Sequence, residues 1–220
     1  MNAVKILVLE SSDNSIPQII EILKNNDFHV DICTNNSEFL ECIYNNLYDL
    51  YLIDINEKSL PRFQLIQLLN DYKDITMKMV IASIPNIIKL SFLSGCDECI
   101  IRNIDEEEIL LRIKALIRRQ FKVYTDSIAL NENVEYEIFN KRVLINKDEI
   151  TLGEKALLIL EYLLKFRGFF VSTDSLESGV YPANSSSKNG SIRFHIHKIR
   201  QLIGTDIIVS NRTNGYKINI

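Results

Sequence analysis

Five times between Met1 and about Lys122, a short apolar run is followed by apolar residues at helical spacing, and this recurrence restricts the possible folds more than any other feature. Residues 5–9 (KILVL) form a continuous apolar run, after which Ile16, Ile19, Ile20 and Leu23 repeat with helical period. Residues 28–33 alternate as a strand does, and Phe39, Leu40 and Ile43 then share one helical face. Residues 50–53, 79–83 and 98–101 supply three more strands, each followed by a helical pattern, near 62–70, 87–94 and 105–120. Five β-α units in succession predict a doubly wound, five-stranded parallel sheet with right-handed crossovers and helices on both faces. Ligands of such sheets sit beyond the carboxyl ends of the strands. Those ends carry Glu10-Ser11-Ser12-Asp13, Asp54, Ser83 and Arg102. A carboxylate flanked by an acid, a hydroxyl and a cation suits a divalent metal and the acceptance of a phosphoryl group.

The pattern changes after residue 121. Residues 122–127 are short and polar, as a linker is, and 128–150 hold short alternating runs (VEYEIF, KRVLIN) that predict an antiparallel meander. Thr151 followed by Glu154 has the form of a capping box, opening a helix whose apolar face is Leu157, Leu158, Leu160, Tyr162, Leu163 and Leu164 and which Gly168 ends. Ser172-Thr173-Asp174 introduces a shorter helix toward Tyr181, and 182–186 form a breaker-rich loop. From Ser187 to Gly204 a third helix places Ile192, Ile196, Ile199 and Ile203 on a narrow stripe, with Arg193, His197, Lys198 and Arg200 at other angles. Strands at 207–210 and 216–220 flank a turn containing Asn214-Gly215. The order helix, helix, basic helix and hairpin predicts an α+β winged helix-turn-helix. The expected boundaries are therefore 1–121, a linker at 122–127, and 128–220.

Charge distinguishes the two halves. Residues 178–220 hold six Lys or Arg and one acid, Asp206, whereas the preceding residues hold 19 Lys or Arg against 28 Asp or Glu. A basic amphipathic helix alone is a common solvated surface. Positive charge gathered at one end of a chain of net charge −4 is instead the footprint of a phosphate-binding segment. At 46% hydrophobic, the chain has enough apolar residues for two modest cores. Cys33, Cys42, Cys96 and Cys99 are few and irregularly spaced. Without a signal peptide or an apolar run of roughly 18 residues, they predict a reduced, cytoplasmic setting with no membrane span. Cys96-x-x-Cys99 has no further ligands near enough in sequence to hold zinc and reads as two small buried residues at a strand. No nucleophile-base pair or phosphate-binding glycine loop points to an enzyme.

The first half resembles the receiver domain of bacterial response regulators. YDLYLID (48–54) is similar to the family's phosphoacceptor strand, and GCDECIIRN (95–103) lies where the family writes G-A-D-D-Y-x-x-K-P. The resemblance implies a pocket of Glu10, Ser11, Asp54, Asn56, Ser83 and Arg102, with departures at several positions. Ser11 replaces one of two metal-binding acids, Arg102 the usual lysine, Asn103 the following proline and Cys99 an aromatic residue. Lys58 stands where a proline is usual, with Pro61 three residues later. Losing a carboxylate removes a hard oxygen ligand, and arginine's planar fork differs from lysine's compact ammonium. Asp54 thus has two readings, a phosphoacceptor or an acid held by its neighbours. The resemblance points to a receiver acting without phosphorylation, with magnesium present only where the pocket works and with no other cofactor or metal site. The resemblance further implies homodimerisation through Lys89, Glu98, Glu108, Arg112 and Arg119.

The second half resembles the DNA-binding domain of the OmpR/PhoB class. Thr151-Leu152-Gly153-Glu154, His195-Ile196-His197-Lys198-Ile199-Arg200 and Arg212-Thr213-Asn214-Gly215-Tyr216 follow the family's three motifs in order. The implied function is transcription regulation through double-stranded promoter DNA, with RNA polymerase as a further partner. Ser191, Arg193, Phe194, His197 and Lys198 are groove candidates; Lys188, His195, Arg200, Arg212 and Thr213 are phosphate or wing candidates. Phe194 and His195 equally suit the core side of the helix. Two alternatives stay open: a conventional regulator phosphorylated on Asp54 by a histidine kinase, and a protein-interaction module that binds no DNA.

Overall fold

The computed structural model describes residues 3–11, 16–185 and 191–220. The chain divides into two compact units, Ala3–Ile117 and a second built on Arg118–Ile220.

The first unit is a five-stranded parallel sheet in the order β2-β1-β3-β4-β5. Its strands are β1 (Lys5–Leu9), β2 (His29–Cys33), β3 (Leu50–Ile55), β4 (Met77–Ala82) and β5 (Glu98–Ile101). They alternate with α1 (Pro17–Asn25), α2 (Asn36–Asn45), α3 (Arg62–Asp71), α4 (Pro85–Leu93) and α5 (Glu106–Gln120). β3 buries all of its residues, as a central strand covered on both faces must, and β2 at the edge is only partly buried. On α5, Ile109, Ile113 and Leu116 are buried; Glu106, Glu107 and Glu108 fill its first turn and Arg118 and Arg119 its last, matching the helix dipole. β4 begins two residues before the expected start at 79, because Lys78 is buried inside the strand. Its ammonium donates to the carbonyls of Asp74 and Thr76, each at 2.8 Å, and burial lowers its pKa.

The second unit opens with an antiparallel sheet of β6 (Ser127–Ala129), β7 (Val134–Glu137), β8 (Arg142–Ile145) and β9 (Asp148–Ile150). Then come α6 (Glu154–Lys165), α7 (Thr173–Val180), α8 (Ser191–Ile203) and the hairpin β10 (Ile208–Asn211) with β11 (Gly215–Ile218). The expected capping box at Thr151 does not form. Gly153 is the N-cap of α6 and makes no side-chain cap, so Glu154 is the first helical residue rather than the third, too early to reach back. α7 is capped as its sequence suggests, with Ser172 Oγ accepting the Ser175 N–H at 3.1 Å. α8 buries Ile192, Ile196, Ile199 and Ile203, its whole predicted stripe. The wing is held by Val171, whose N–H and carbonyl pair with Tyr216 at 2.7 and 2.9 Å. Gly215, at φ +94°, passes so close to Val171 that a Cβ would lie 2.1 Å from its carbonyl oxygen. A side chain there would push the wing off the domain.

Candidate functional site

The strand order reverses between β1 and β3, and the crevice at such a reversal is where sheets of this kind place their chemistry. Parallel register sets Leu9 beside Ile53, so the residues that follow, Glu10, Ser11 and Asp54, converge. Asp54 is fully buried. Its Oδ2 accepts the Ser11 N–H at 3.2 Å, and Nη2 of Arg102 lies 2.9 Å from Oδ1 and 3.1 Å from Oδ2. Arg102 is positioned by its own N–H, bonded to the Ala82 carbonyl at 3.0 Å as β5 ends. Ser83 closes β4, its N–H bonded to the Ile55 carbonyl at 3.1 Å. Asn56 turns toward its own loop: Oδ1 accepts from Lys58 N and Ser59 Oγ, and its carbonyl accepts the Ser59 N–H.

A residue absent from the sequence-based site fills the floor of this crevice. Arg62, at the start of α3, is buried. Its Nη1 donates to the carbonyls of Leu9 (3.1 Å) and Asp54 and to Ser11 Oγ (3.3 Å); its Nη2 donates to the carbonyls of Glu10 (2.7 Å) and Thr34 (3.2 Å). One signal in the sequence pointed there: a cation in the first turn of a helix opposes the helix dipole and needs another reason to stand there. Two guanidinium groups thus surround the Asp54 carboxylate and its backbone.

Magnesium requires near-octahedral oxygen coordination, and this donor set does not fit it. The Asp54 carboxylate is bound by Arg102, the Asn56 carbonyl is engaged in its turn, and the carbonyls of Leu9, Glu10 and Asp54 face Arg62. Glu10 Oε1 is buried and takes no hydrogen bond among the described residues, while the Glu10 carbonyl accepts Nη2 of Arg62. Ser12 and Asp13 lie outside the described residues.

On α8, Arg193, Phe194, His197 and Lys198 are exposed, Phe194 at 55%, which removes Phe194 from the core side. Lys198 Nζ lies 4.6 Å from the centre of the Phe194 ring, a cation–π contact that holds the ammonium at the surface. His195 is half-buried with its ring edge-on to Phe194; burial, then the charges of Lys198 and Lys155, lower its pKa from 6.5. Ser191 Oγ is bonded to the Tyr181 hydroxyl. Arg200 gives Nε and Nη2 to the Ile208 carbonyl at 3.0 and 2.7 Å, tying α8 to the wing instead of pointing outward. Arg212 and Thr213 are exposed at the wing tip, where Asn211 Oδ1 accepts the N–H groups of Thr213 and Asn214 at 2.9 and 3.0 Å. Lys188 lies outside the described residues.

Of the expected interface residues, Arg112 is paired within the chain, to Glu108 (2.8 Å) and Glu98 (3.4 Å), and its hydrogen bond to Glu108 leads in raising its pKa. Lys89 and Arg119 are exposed. No helix among the described residues is long and apolar enough to cross a membrane.

A parallel sheet ordered 2-1-3-4-5 with an acid at its switch point is followed in the same chain by a winged helix-turn-helix. Residues 147–218 match the family model described as "Transcriptional regulatory protein, C terminal". The chain is 30% identical over 122 residues to the transcriptional regulatory protein PmrA of Pectobacterium parmentieri, a match covering 56% of this chain and 54% of that protein. It is 22% identical over 229 residues to the transcriptional regulatory protein YvrH of Bacillus subtilis strain 168, covering 99% and 96%. Among solved structures, the response regulator DrrB, a Thermotoga maritima OmpR/PhoB homologue, aligns over 100% of both chains at 16% identity and a TM-score of 0.47. Residues 147–218 are thus similar to the C-terminal domain of transcriptional regulatory proteins, and the chain along its length to proteins of that description.

Proposed function

We propose that this chain is a homodimeric regulator of transcription that binds double-stranded promoter DNA, contacts RNA polymerase, and is switched without phosphorylation of Asp54. The observation that carries this reading is the engagement of the Asp54 carboxylate by Arg102 above a floor occupied by Arg62. A phosphoryl donor must displace Arg102 from a buried carboxylate, and breaking such a pair costs about 3–5 kcal/mol. The pocket's charge is balanced by the two guanidinium groups, so the receiver needs neither a histidine kinase nor a divalent cation to reach its working conformation. DNA is engaged by the exposed Arg193, His197 and Lys198 in the major groove and by Arg212 and Thr213 on the wing. Dimerisation uses the charged surface of α4, β5 and α5, where Glu98, Glu108 and Arg112 already form a cluster.

The test compares affinity for genome-selected duplex DNA between wild type and Asp54→Asn, each with and without an acyl phosphate and magnesium. Four equal affinities are expected. Tightening by the donor in wild type alone would establish a working phosphoacceptor, and no salt-sensitive duplex binding under any condition would overturn the DNA reading.

A further inference from the structure

Cys33 closes β2 in the buried layer, and Cys42 stands half-buried on α2. Their sulfurs are 3.3 Å apart, although nine residues separate them in sequence. A disulfide needs about 2.05 Å between sulfurs, so a closure of roughly 1.2 Å, within reach of a side-chain adjustment, would join them. Of the two residues, Cys42 is the more exposed. Burial and the contact with Cys42 push the Cys33 thiol up to about 12, so Cys33 waits protonated beneath it. Asp31, Glu38 and the Tyr48 hydroxyl, which is bonded to Asp31 at 2.8 Å, face the pair. The other two cysteines are placed differently. Cys96 and Cys99 are both buried, and the Cys99 thiol is bonded to Ser91.

The position of the pair connects it to the receiver crevice. The Cys33 carbonyl accepts the Glu10 N–H at 2.8 Å, and the next carbonyl, that of Thr34, accepts Nη2 of Arg62 at 3.2 Å. Thr34 also gives its N–H and its hydroxyl to Glu38 in the first turn of α2, both at 3.0 Å. Any movement of α2 against the end of β2 is therefore felt by two groups that shape the floor beside Asp54.

We propose that Cys33 and Cys42 are a thiol pair oxidised by hydrogen peroxide to an intramolecular disulfide, and that this disulfide resets the Glu10 and Arg62 contacts of the crevice. The Cys42 thiolate attacks one peroxide oxygen, forming a sulfenic acid as the O–O bond breaks, and the departing hydroxide takes a proton to become water. The Cys33 sulfur then attacks the Cys42 sulfur; the S–O bond breaks, and the second hydroxide leaves as water with the Cys33 proton. Two electrons pass from the thiols to the peroxide, and a small dithiol reverses the change by exchange. The pair goes beyond the phosphorylation-independent reading by supplying an input, and thiol oxidation is read without DNA, so the two fail separately.

The experiment treats the full chain with hydrogen peroxide, blocks remaining thiols with an alkylating reagent, and maps peptides by mass spectrometry without reduction. A 33–42 linked peptide is expected, with Cys96 and Cys99 alkylated and the link removed by dithiothreitol. Cys42→Ser, at a half-buried site that tolerates a small hydroxyl, should retain three alkylatable cysteines. Amide hydrogen exchange at Glu10 should differ at least several-fold between the oxidised and reduced wild type and not at all in Cys42→Ser. A link through Cys96 or Cys99, a disulfide between two chains, or Cys42 advancing to sulfinic acid with Cys33 still alkylatable would overturn the pair. Unchanged exchange at Glu10 in a linked protein would overturn the coupling.

Discussion

Nη2 of Arg102 lies 2.9 Å from Oδ1 of Asp54, and the two side chains are 20% and 0% exposed. The buried carboxylate also accepts the Ser11 N–H at 3.2 Å, and a buried charge is tolerated where it is paired and hydrogen-bonded. Arg102→Ala is expected to lower the unfolding free energy by about 3–5 kcal/mol, because it leaves a buried charge uncompensated. Arg102→Lys should lose less. Adding Asp54→Asn to Arg102→Ala should recover part of the loss, and urea denaturation of wild type, Arg102→Ala, Asp54→Asn and the double variant measures the coupling directly. Losses that simply add would mean that the pair is not a unit.

Arg62 makes a different demand. Its guanidinium satisfies the carbonyls of Leu9, Glu10, Thr34 and Asp54, and an unsatisfied buried acceptor costs about 1–3 kcal/mol. Arg62→Met should therefore destabilise the receiver unit by about 3 kcal/mol or more. Its second consequence is chemical. Removing a fixed cation from a ring of oxygens beside Glu10 should let magnesium raise the melting temperature of the variant while leaving that of wild type unchanged. A magnesium shift of equal size in both proteins would show that Arg62 is not standing where a cation would.

These two arginines mark the border of what the sequence reveals. The sheet is legible because burial on both faces leaves unbroken apolar runs such as KILVL and LYLIDI, and the helices because Ile109, Ile113 and Leu116 repeat with the helical period. Asp54 and Arg102 are legible because strand ends are. Arg62 reaches carbonyls 53 residues away in sequence, and backbone acceptors leave no mark on residue type. Only its place in a helical first turn hinted at it. Lys78 hid the start of β4 because a lysine inside a buried strand breaks the expected pattern. The Thr151-x-x-Glu154 signature failed because a capping box depends on where the first helical residue falls, which the tertiary contacts decide. Cys33 and Cys42 belong to a strand and a helix whose packing distance no spacing rule encodes.

His195 offers a test by pH. Its folded pKa lies below 6.5, chiefly through burial, so between those values the unfolded chain binds more protons than the folded one. Stability should consequently fall as pH drops below 6.5 and be indifferent to this residue above it. His195→Gln should flatten the melting temperature over that acidic window. At pH 7.5 the imidazole is neutral and should release no counterion, so the same substitution should leave the salt slope of DNA binding unaltered. A shallower slope in His195→Gln at pH 7.5 would mean that the ring is charged on DNA.

Arg200 and Arg212 carry the same charge, yet the fold gives them opposite work. Arg200 spends its N–H groups on the Ile208 carbonyl, at 3.0 and 2.7 Å, where only a planar fork bonds twice. Arg212 stands exposed on a wing tip whose backbone is fixed by Asn211. Arg200→Lys should cost stability, about 1.5–3 kcal/mol for a lost hydrogen bond from a charged donor, and leave the dependence of affinity on salt nearly intact. Arg212→Ala should leave the melting temperature alone and reduce the slope of log affinity against log salt by about 0.9, the value for one phosphate contact. Lys198→Ala should instead relax preference at one base position if its ammonium, held over Phe194, reads a base edge. Measuring melting and salt slope for all three variants on one duplex separates the roles, and the assignment fails if Arg200→Lys flattens the slope as much as Arg212→Ala does.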